Sequence, residues 1–570
     1  MKKSLATLAL LGAFLTGKAQ KIENRIPSNS SVVVAGNAKN VFKLISFSDI
    51  NSSALGKEIL KDANRKREDN NKINSVEDIG IDLGSNAYYF FKQTDSISYH
   101  NIMVELKDRK QFEANLRKSK LKKIVRKNGY NILQGYSDIT IWNEDVLLMV
   151  NGDRSYSYFN EHKERLEKQK EEGEASYKFK RRIANGWAKD YAEHVFNGNI
   201  RNNLSSNSSF QKSKKKNSAV TLWLPSYGSL MGSFMKSYDK LLSNGLINFN
   251  NSNVYGIDEV SANLFFDKDN ARISLDMEVS DNMKKYMKKI YNKRLDKKLI
   301  NSFNHDKALA FWSMSINTEE MLVQYPDMLT NLYGGMIPSF KNEINIVGDL
   351  LAILIDEEAV GELITGDALF VLNDFGKKEV SYKSYDYDEN YKRKEVTKKK
   401  ETVVPDFTLM IGSKEQGIWK KALKIGEKYK VLSANNRVYE FVEKTKELPF
   451  PIYAVVNNDI LYVTTSKTEA VNFAAGRSLG KSNKYGKLMR NNTSVLYANV
   501  NALLDKFPKK YAGKSERRML NFSSENLKDA VFKVSRIKGS TISSELKLNT
   551  MGREENTLKL LFEFINQIAK

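Results

Sequence analysis

The sequence lacks cysteine altogether, and among its 570 residues only eight are proline and four are histidine. Without cysteine the chain has no disulfide, no thiolate metal site, no thiol nucleophile and no residue for lipid attachment at a mature N-terminus. Long apolar runs are also missing after the N-terminus, because the best stretch, residues 344–355, is interrupted by Asn345 and Asp349. We therefore expect no lipid anchor and no transmembrane segment, and a fold stabilised by packing alone.

Motifs that carry catalysis or bind cofactors are missing as well. The sequence has no Gly-x-Ser-x-Gly turn, no phosphate-binding glycine loop and no His-Glu-x-x-His, and the histidines share no metal-ligand spacing. We assign no catalytic, cofactor-binding or metal-binding residue. A hydrolase stays open as the least favoured alternative, because two carboxylates that meet only in the fold leave no sequence signature. The four histidines are His100, His162, His194 and His305.

The N-terminus carries a targeting pattern. Lys2 and Lys3 precede an apolar stretch over residues 5–16, and the small residues Gly17 and Ala19 follow. This order is typical of a secretory signal peptide. The sequence predicts a signal peptide over residues 1–19, cleavage near Ala19 and Gln20, and a periplasmic or secreted protein.

Positive charge is in excess, with 91 basic and 68 acidic residues and a net charge of +23. Most lysines are scattered, which is typical of solvated faces, but several clusters stand out. The cluster interleaved with tyrosines is the candidate contact for a polyanion such as an acidic glycan or an anionic lipid surface. Export argues against nucleic acid as the partner. The candidate contact residues are Lys392, Arg393, Lys394, Lys398, Lys399 and Lys400.

One pattern occurs twice in the chain. Residues 141–150 and 455–464 each place Asn and Asp between two apolar runs. Asn and Asp tolerate the left-handed backbone of a tight turn, and large or β-branched apolar residues suit strands. Each copy therefore predicts a β-hairpin, with turns at Asn143 and Asn457.

Further segments recur in the same order around these hairpins. Residues 79–91 match 360–372 in their glycine, alanine and apolar positions. In each copy a strand then leads into a helix, and we expect these helices to begin at Asp108 and Ser413. The order of elements predicts two halves, residues 20–300 and 301–570. Each half carries its own charged insertion, at 161–217 and 377–400, which we interpret as a surface excursion or a flexible loop.

Hairpins that alternate with single helices favour an α+β fold over a parallel α/β sheet. We predict two tandem pseudo-repeats, each of mostly antiparallel sheet with helices packed on one face. Within the second insertion, the alternation of Tyr382, Tyr385, Tyr387 and Tyr391 with charged residues favours an extended hairpin that protrudes from the sheet.

The opening segment, residues 26–35, and the closing segment, residues 555–561, resemble an envelope family of Bacteroidota, domain-of-unknown-function group 4836. The resemblance implies an envelope location and supplies no catalytic residues. We interpret the chain as an exported, non-enzymatic envelope protein that binds or scaffolds another envelope component. The alternative is a binder of extracellular polyanions through the lysine-rich loops.

Overall fold

The structure is a computed structural model. Helices make up 39% of the chain and strands 34%, and the strands form a large antiparallel sheet, which confirms the mixed α and β class. The signal-peptide prediction, at 1–19, lies outside the described residues, as does the tip of the second insertion at 388–390. The structure describes residues 22–65, 72–116, 123–127, 129–198, 200–233, 256–337, 340–387, 391–442, 450–477, 485–506 and 513–569.

No helix within these described ranges is long and apolar enough to cross a membrane.

Within the described ranges, twenty strands form one continuous sheet, and each neighbouring pair is antiparallel. The strands are β1 Val32–Gly36, β2 Ala87–Gln93, β3 Ile97–Glu105, β4 Ile124–Lys127, β5 Tyr130–Gln134, β6 Asp138–Trp142, β7 Val146–Arg154, β8 Val220–Leu224, β9 Ile257–Phe266, β10 Asn270–Val279, β11 Ala310–Ser315, β12 Asp367–Tyr387, β13 Arg393–Gly412, β14 Leu432–Asn435, β15 Val438–Phe441, β16 Tyr453–Asn457, β17 Ile460–Thr464, β18 Asn492–Ala498, β19 Leu527–Ser535 and β20 Thr541–Thr550.

The strand pairs define a single order across the sheet. From one edge to the centre it is β4, β5, β6, β7, β3, β2, β1, β8, β9, β10. From the other edge to the centre it is β14, β15, β16, β17, β13, β12, β11, β18, β19, β20. β10 and β20 join the two series at a seam that runs from the pair Asn270 and Asn549 to the pair Glu278 and Thr541.

Helices cover much of this sheet. In the described residues they are α1 Ala38–Val41, α2 Phe47–Ser52, α3 Ala54–Asn64, α4 Arg109–Ala114, α5 Tyr156–Glu161, α6 Lys163–Glu167, α7 Ser176–Asn197, α8 Ser208–Ser213, α9 Asp281–Ile290, α10 Lys297–Asn301, α11 Thr318–Met336, α12 Lys341–Leu354, α13 Glu357–Leu363, α14 Gln416–Lys428, α15 Lys467–Ala474, α16 Gly486–Asn491, α17 Val500–Lys506, α18 Lys514–Asn526 and α19 Thr557–Ile568, with a 3₁₀ helix at Val76–Ile79.

The expectation that helices pack on one face is wrong for the first series of strands. Tyr88 and Ala87 are neighbours in β2 and therefore face opposite sides of the sheet. Tyr88 belongs to a buried cluster with Ala188 and Val195 of α7. Ala87 belongs to a different cluster that includes residues of α1 to α3 and of α19. Both faces are covered because the first insertion supplies α7.

The first insertion is thus not only a surface excursion. Ala188, Ala192 and Val195 of α7 are fully buried, and Phe196 packs against Tyr130 at a ring distance of 5.6 Å. Residues spaced by three and four positions share one face of a helix, so these side chains form a stripe against the sheet. Charged side chains of the same helix, among them Lys178, Arg182 and Asp190, are exposed.

The two predicted hairpins form, but with different turns. Asn458 and Asp459 have φ of 51° and 58°, the left-handed conformation of a two-residue hairpin turn. In the first copy the Asn143 side chain instead accepts hydrogen bonds from the backbone N–H groups of Asp145 and Val146, at 2.9 and 2.8 Å. The same residue types therefore close the two hairpins by different physical means.

The position at which the helix begins is predicted correctly in one of the two repeated segments. The Asp108 carboxylate accepts from the backbone N–H of Gln111 at 3.0 Å and caps α4. In the second copy the expectation is wrong, because α14 begins at Gln416 and its cap is Glu415. Ser413 instead accepts a hydrogen bond from the Trp419 indole at 3.1 Å.

Candidate functional site

The strands at the seam have one apolar face and one polar face. Along β10, Ile273, Leu275 and Met277 alternate with Arg272, Ser274, Asp276 and Glu278. Successive side chains of a strand point to opposite faces, and residues directly opposite one another on paired strands share a face. The register of β10 with β20 therefore places the apolar residues of both strands on the same side of the sheet.

Five large apolar residues form a continuous row on this side, which we call the apolar stripe. Each is directly opposite the next across five neighbouring strands, β11, β18, β19, β20 and β10. All five are open to solvent, although large side chains in a sheet are normally covered by packing. The stripe consists of Trp312, Leu496, Phe532, Leu546 and Ile273, which are 44%, 47%, 37%, 44% and 43% exposed.

The surroundings of the stripe are also uncharged. Phe370 continues the row beyond Trp312, and Leu264 continues it beyond Ile273. Directly around the stripe, the residues that share this face by register are apolar except for two serines, Ser494 and Ser544, and Thr550 lies farther along β20 on the same face. Ser494 accepts a hydrogen bond from the Trp312 indole at 3.0 Å, which orients that ring. The stripe therefore lies in a surface that only apolar groups can match.

The opposite face of the same strands is charged. Glu545 lies 2.8 Å from Lys533 and 3.8 Å from Arg272. Asp276 forms an ion pair with Lys215 at 3.1 Å and accepts from the Ser543 hydroxyl at 2.6 Å. The two faces of one segment of sheet thus differ completely in polarity.

Helices border the stripe at both ends of its strands. At one end, Met321 and Met328 of α11 pack in a cluster with Ile542, which lies on the apolar face. At the other end α17 and α18 contact β19, and Phe522 of α18 packs against Phe564 of α19 at 5.5 Å. The stripe therefore lies between α11 at one end of its strands and α17 and α18 at the other.

The polyanion candidate residues lie elsewhere, on a protruding ribbon formed by residues 374–387 of β12 and 393–406 of β13. Within the described residues, these segments pair with each other, whereas β11 ends its pairing at Leu372 and β17 at Thr408. Fourteen residues at about 3.4 Å each extend roughly 45 Å. The extended hairpin predicted from the tyrosines is confirmed.

Several cationic side chains of the ribbon contact other residues of the ribbon. Lys399 forms an ion pair with Glu379 at 2.7 Å, and Lys398 lies 3.7 Å from Asp386. Arg393 stacks over Tyr385 at 3.4 Å, and Lys400 lies over Tyr382 at 5.3 Å. The ribbon places all six candidate residues close together and exposed. Arg393, Lys398, Lys399 and Lys400 contact carboxylates or tyrosine rings of the ribbon.

The histidines do not come together. His100 contacts the Tyr89 hydroxyl at 2.8 Å, whereas His305 lies beside Asp306 and Tyr485 in the other series of strands. Among the residues that the structure describes, no group of three His, Asp or Glu side chains could hold a metal ion.

A cleft of ≈650 Å³ lies between the β14–β15 hairpin and α15. Arg437, Glu440 and Lys467 line it together with apolar residues of α15. Burial raises the pKa of Tyr453 in its wall, and the nearby Glu440 carboxylate raises it further. In the first series, α7 packs over the matching strand β5, so this cleft is a feature of the second series.

Comparisons with known proteins add little. No family model and no curated protein matches the chain. Among solved structures, crystal form III of TP0453 is 12% identical and covers 45% of this chain and 80% of its own, with a TM-score of 0.23. Crystal form IV is 13% identical, covers 46% and 83%, and has a TM-score of 0.24. Scores this low carry no argument about fold or function.

Proposed function

We propose that this chain is an exported, non-enzymatic envelope protein, periplasmic or secreted, that binds another envelope component on the apolar stripe. The observation that carries the proposal is the row from Trp312 to Ile273, five large apolar side chains that are all open to solvent on a face without charge. Contiguous apolar surface of this kind marks interaction sites, because exposing it to water is unfavourable.

The same face is covered where it passes into the first series of strands. There Leu558 and Phe562 of α19 pack in a cluster with Val220 of β8 and Phe266 of β9. α19 thus shows what covers this face when the chain supplies the cover itself. The stripe lies next to it, with a matching apolar surface that no helix among the described residues covers in this way, which supports a partner for this face.

Location and family belong to the same proposal. The signal peptide predicted over residues 1–19 supports export, and the segments at 26–35 and 555–561 support membership of the envelope family that they resemble. An envelope partner would then be within reach of the stripe.

We further propose that residues 20–300 and 301–570 are tandem pseudo-repeats. Support comes from the strand order, because each strand of the first series has a counterpart ten strands later at the same position relative to the seam. A duplication also explains why the stripe crosses the seam, since two equivalent strands, β10 and β20, meet there.

The test is photo-crosslinking in the native envelope. A benzophenone amino acid replaces Leu546 in the full chain, and the matched control carries it at Lys547, the next residue, which points to the opposite face. We expect an adduct from position 546 and none from 547. Equal adducts at both positions, or none at 546, would contradict the proposal.

A polyanion binder is the second candidate, favoured by the exposed cations at 392–400 on the protruding ribbon. Its partner would be an acidic glycan or an anionic lipid surface. The ion pairs within the ribbon weaken this candidate, because Lys398 and Lys399 already contact carboxylates. Retention on an acidic polysaccharide that falls steeply with added salt, and that is lost without the ribbon, would support it.

A further inference from the structure

We infer that the ligand of the apolar stripe is the acyl chain of a single lipid molecule, which lies across the strands from Trp312 to Ile273. This inference rests on the proposed function, since it names the class of envelope component that the stripe binds. It is carried by the polarity, the length and the area of the stripe.

The polarity of the stripe favours a hydrocarbon ligand. The side chains that surround the stripe are hydrocarbon apart from Ser494 and Ser544, and Ser494 is already engaged by the Trp312 indole. A polar ligand group placed here would lose its water and would find only these two hydroxyl groups as hydrogen-bond partners, which is unfavourable. A saturated chain loses nothing by leaving water and gains apolar contact along its whole length.

The length of the stripe fits a single chain. Neighbouring strands lie about 4.8 Å apart, so the four spacings between the five residues cover about 19 Å. The hydrocarbon core of a bilayer is about 30 Å thick, so a lipid chain in one leaflet spans about 15 Å. An extended acyl chain therefore has about the same reach as the row from β11 to β10.

The area is too small for a second copy of the protein. At roughly 150–250 Å² for each large side chain, exposures of 37–47% leave on the order of 400 Å² open. A stable protein interface takes about 800 Å² from each partner. A slender ligand that lies along the stripe does not meet this difficulty.

The test uses dansyl-labelled undecanoic acid, whose fluorescence rises when the probe leaves water, with the purified full chain. We expect saturable binding that unlabelled palmitic acid displaces. Phe532→Ser with Leu546→Ser should weaken binding about tenfold or more, because two central contacts of the chain become polar. Lys547→Ser, on the opposite face, should leave binding unchanged.

Folding is checked by cooperative thermal unfolding of each variant. If the double variant does not unfold cooperatively, Leu546→Ser alone replaces it, since that side chain is already 44% exposed. Absence of probe binding by the parent chain, or equal binding by the serine variant, would overturn the inference.

Failure of the inference can be told apart from failure of the proposed function. If the crosslinker at position 546 captures a protein and the parent chain ignores the fatty-acid probe, the acyl chain is wrong and the binding role of the stripe stands. If sedimentation shows a dimer that the serine variant loses, a second copy is the occupant and the inference is overturned. If position 546 captures nothing, the proposed function itself fails.

Discussion

Ile273 of β10 lies directly opposite Leu546 of β20, and this pair joins the two series of strands at the centre of the sheet. The two residues are 273 positions apart in sequence, yet both contribute exposed apolar surface to one stripe. The two series of strands therefore join at the place where the apolar face of the sheet is exposed to solvent.

The charged face of the seam should contribute little to stability. Glu545→Gln removes the ion pair with Lys533 and the longer contact with Arg272, both of which are partly exposed. We expect a loss of about 1 kcal/mol or less in the free energy of unfolding, and a smaller loss in high salt. Urea unfolding measures it, with the exposed pair of Glu555 and Lys559 as the control site. A loss above about 2 kcal/mol that salt does not reduce would show that the seam depends on these charges.

The ribbon should be dispensable for the fold. Replacing residues 377–400 with a short Gly-Ser link removes strands that pair with each other and with no other described strand. We expect cooperative unfolding and a melting temperature within about 2 °C of the parent. Any binding to anionic surfaces at low salt should weaken, since charged contacts are lost. Deleting α7, which is buried, is the control and should lower the melting temperature strongly. A comparable drop for the ribbon would show that it is packed structure.

The two hairpin turns should respond differently to glycine. Asn458 has a positive φ, so Asn458→Gly should be neutral and Asn458→Val should cost about 1–2 kcal/mol. Asn143 acts through its side chain, so Asn143→Gly should cost about 1 kcal/mol, because two N–H groups lose their acceptor. Hydrogen exchange of the amides in each hairpin measures the opening free energies. The same response at both turns would contradict the assignment.

An ion pair next to the second hairpin should make stability depend on pH. The hydrogen bond from Lys298 lowers the pKa of Asp459, and a second one from Gln416, at 2.8 Å, adds to the effect. A lowered carboxyl pKa stabilises the folded state above the unfolded value of about 3.9, and this stabilisation is lost as the pH falls through the folded pKa.

The Lys298→Ala variant tests this. It should raise the pKa of Asp459 toward its ordinary value, as followed by NMR titration of that carboxyl group, and should make acid unfolding less steep. Lys297→Ala, at the neighbouring exposed position, is the control. An unchanged pKa of Asp459 in Lys298→Ala would show that the pair does not form in solution.

Local features of the fold could be predicted from sequence. The hairpins at Asn143 and Asn457, the ribbon and the mixed class follow from patterns within about ten residues. α7 was not predicted as core, because its alanines at 184, 188 and 192 bury well but carry a weak hydrophobic signal beside several lysines and arginines.

The apolar stripe could not be predicted from sequence, for a different reason. Alternation along 270–279 and 541–550 predicts one apolar face for each strand, and both signals are present in the sequence. The two strands become neighbours only through pairing between segments that are distant in sequence. Whether a helix covers them depends on where the helices lie in the fold. Neither has a local signature.

The most direct measurement of the central claim introduces single cysteines. The chain has no cysteine of its own, so each maleimide adduct on it reports one position. Leu546→Cys and Lys547→Cys are labelled with a maleimide, once in the purified chain and once in the native envelope. We predict that position 546 reacts in the purified chain and is protected in the envelope, whereas position 547 reacts equally in both. Protection of 546 in the purified chain, or equal reactivity of 546 in both settings, would contradict the claim that the stripe is an open surface which an envelope component covers.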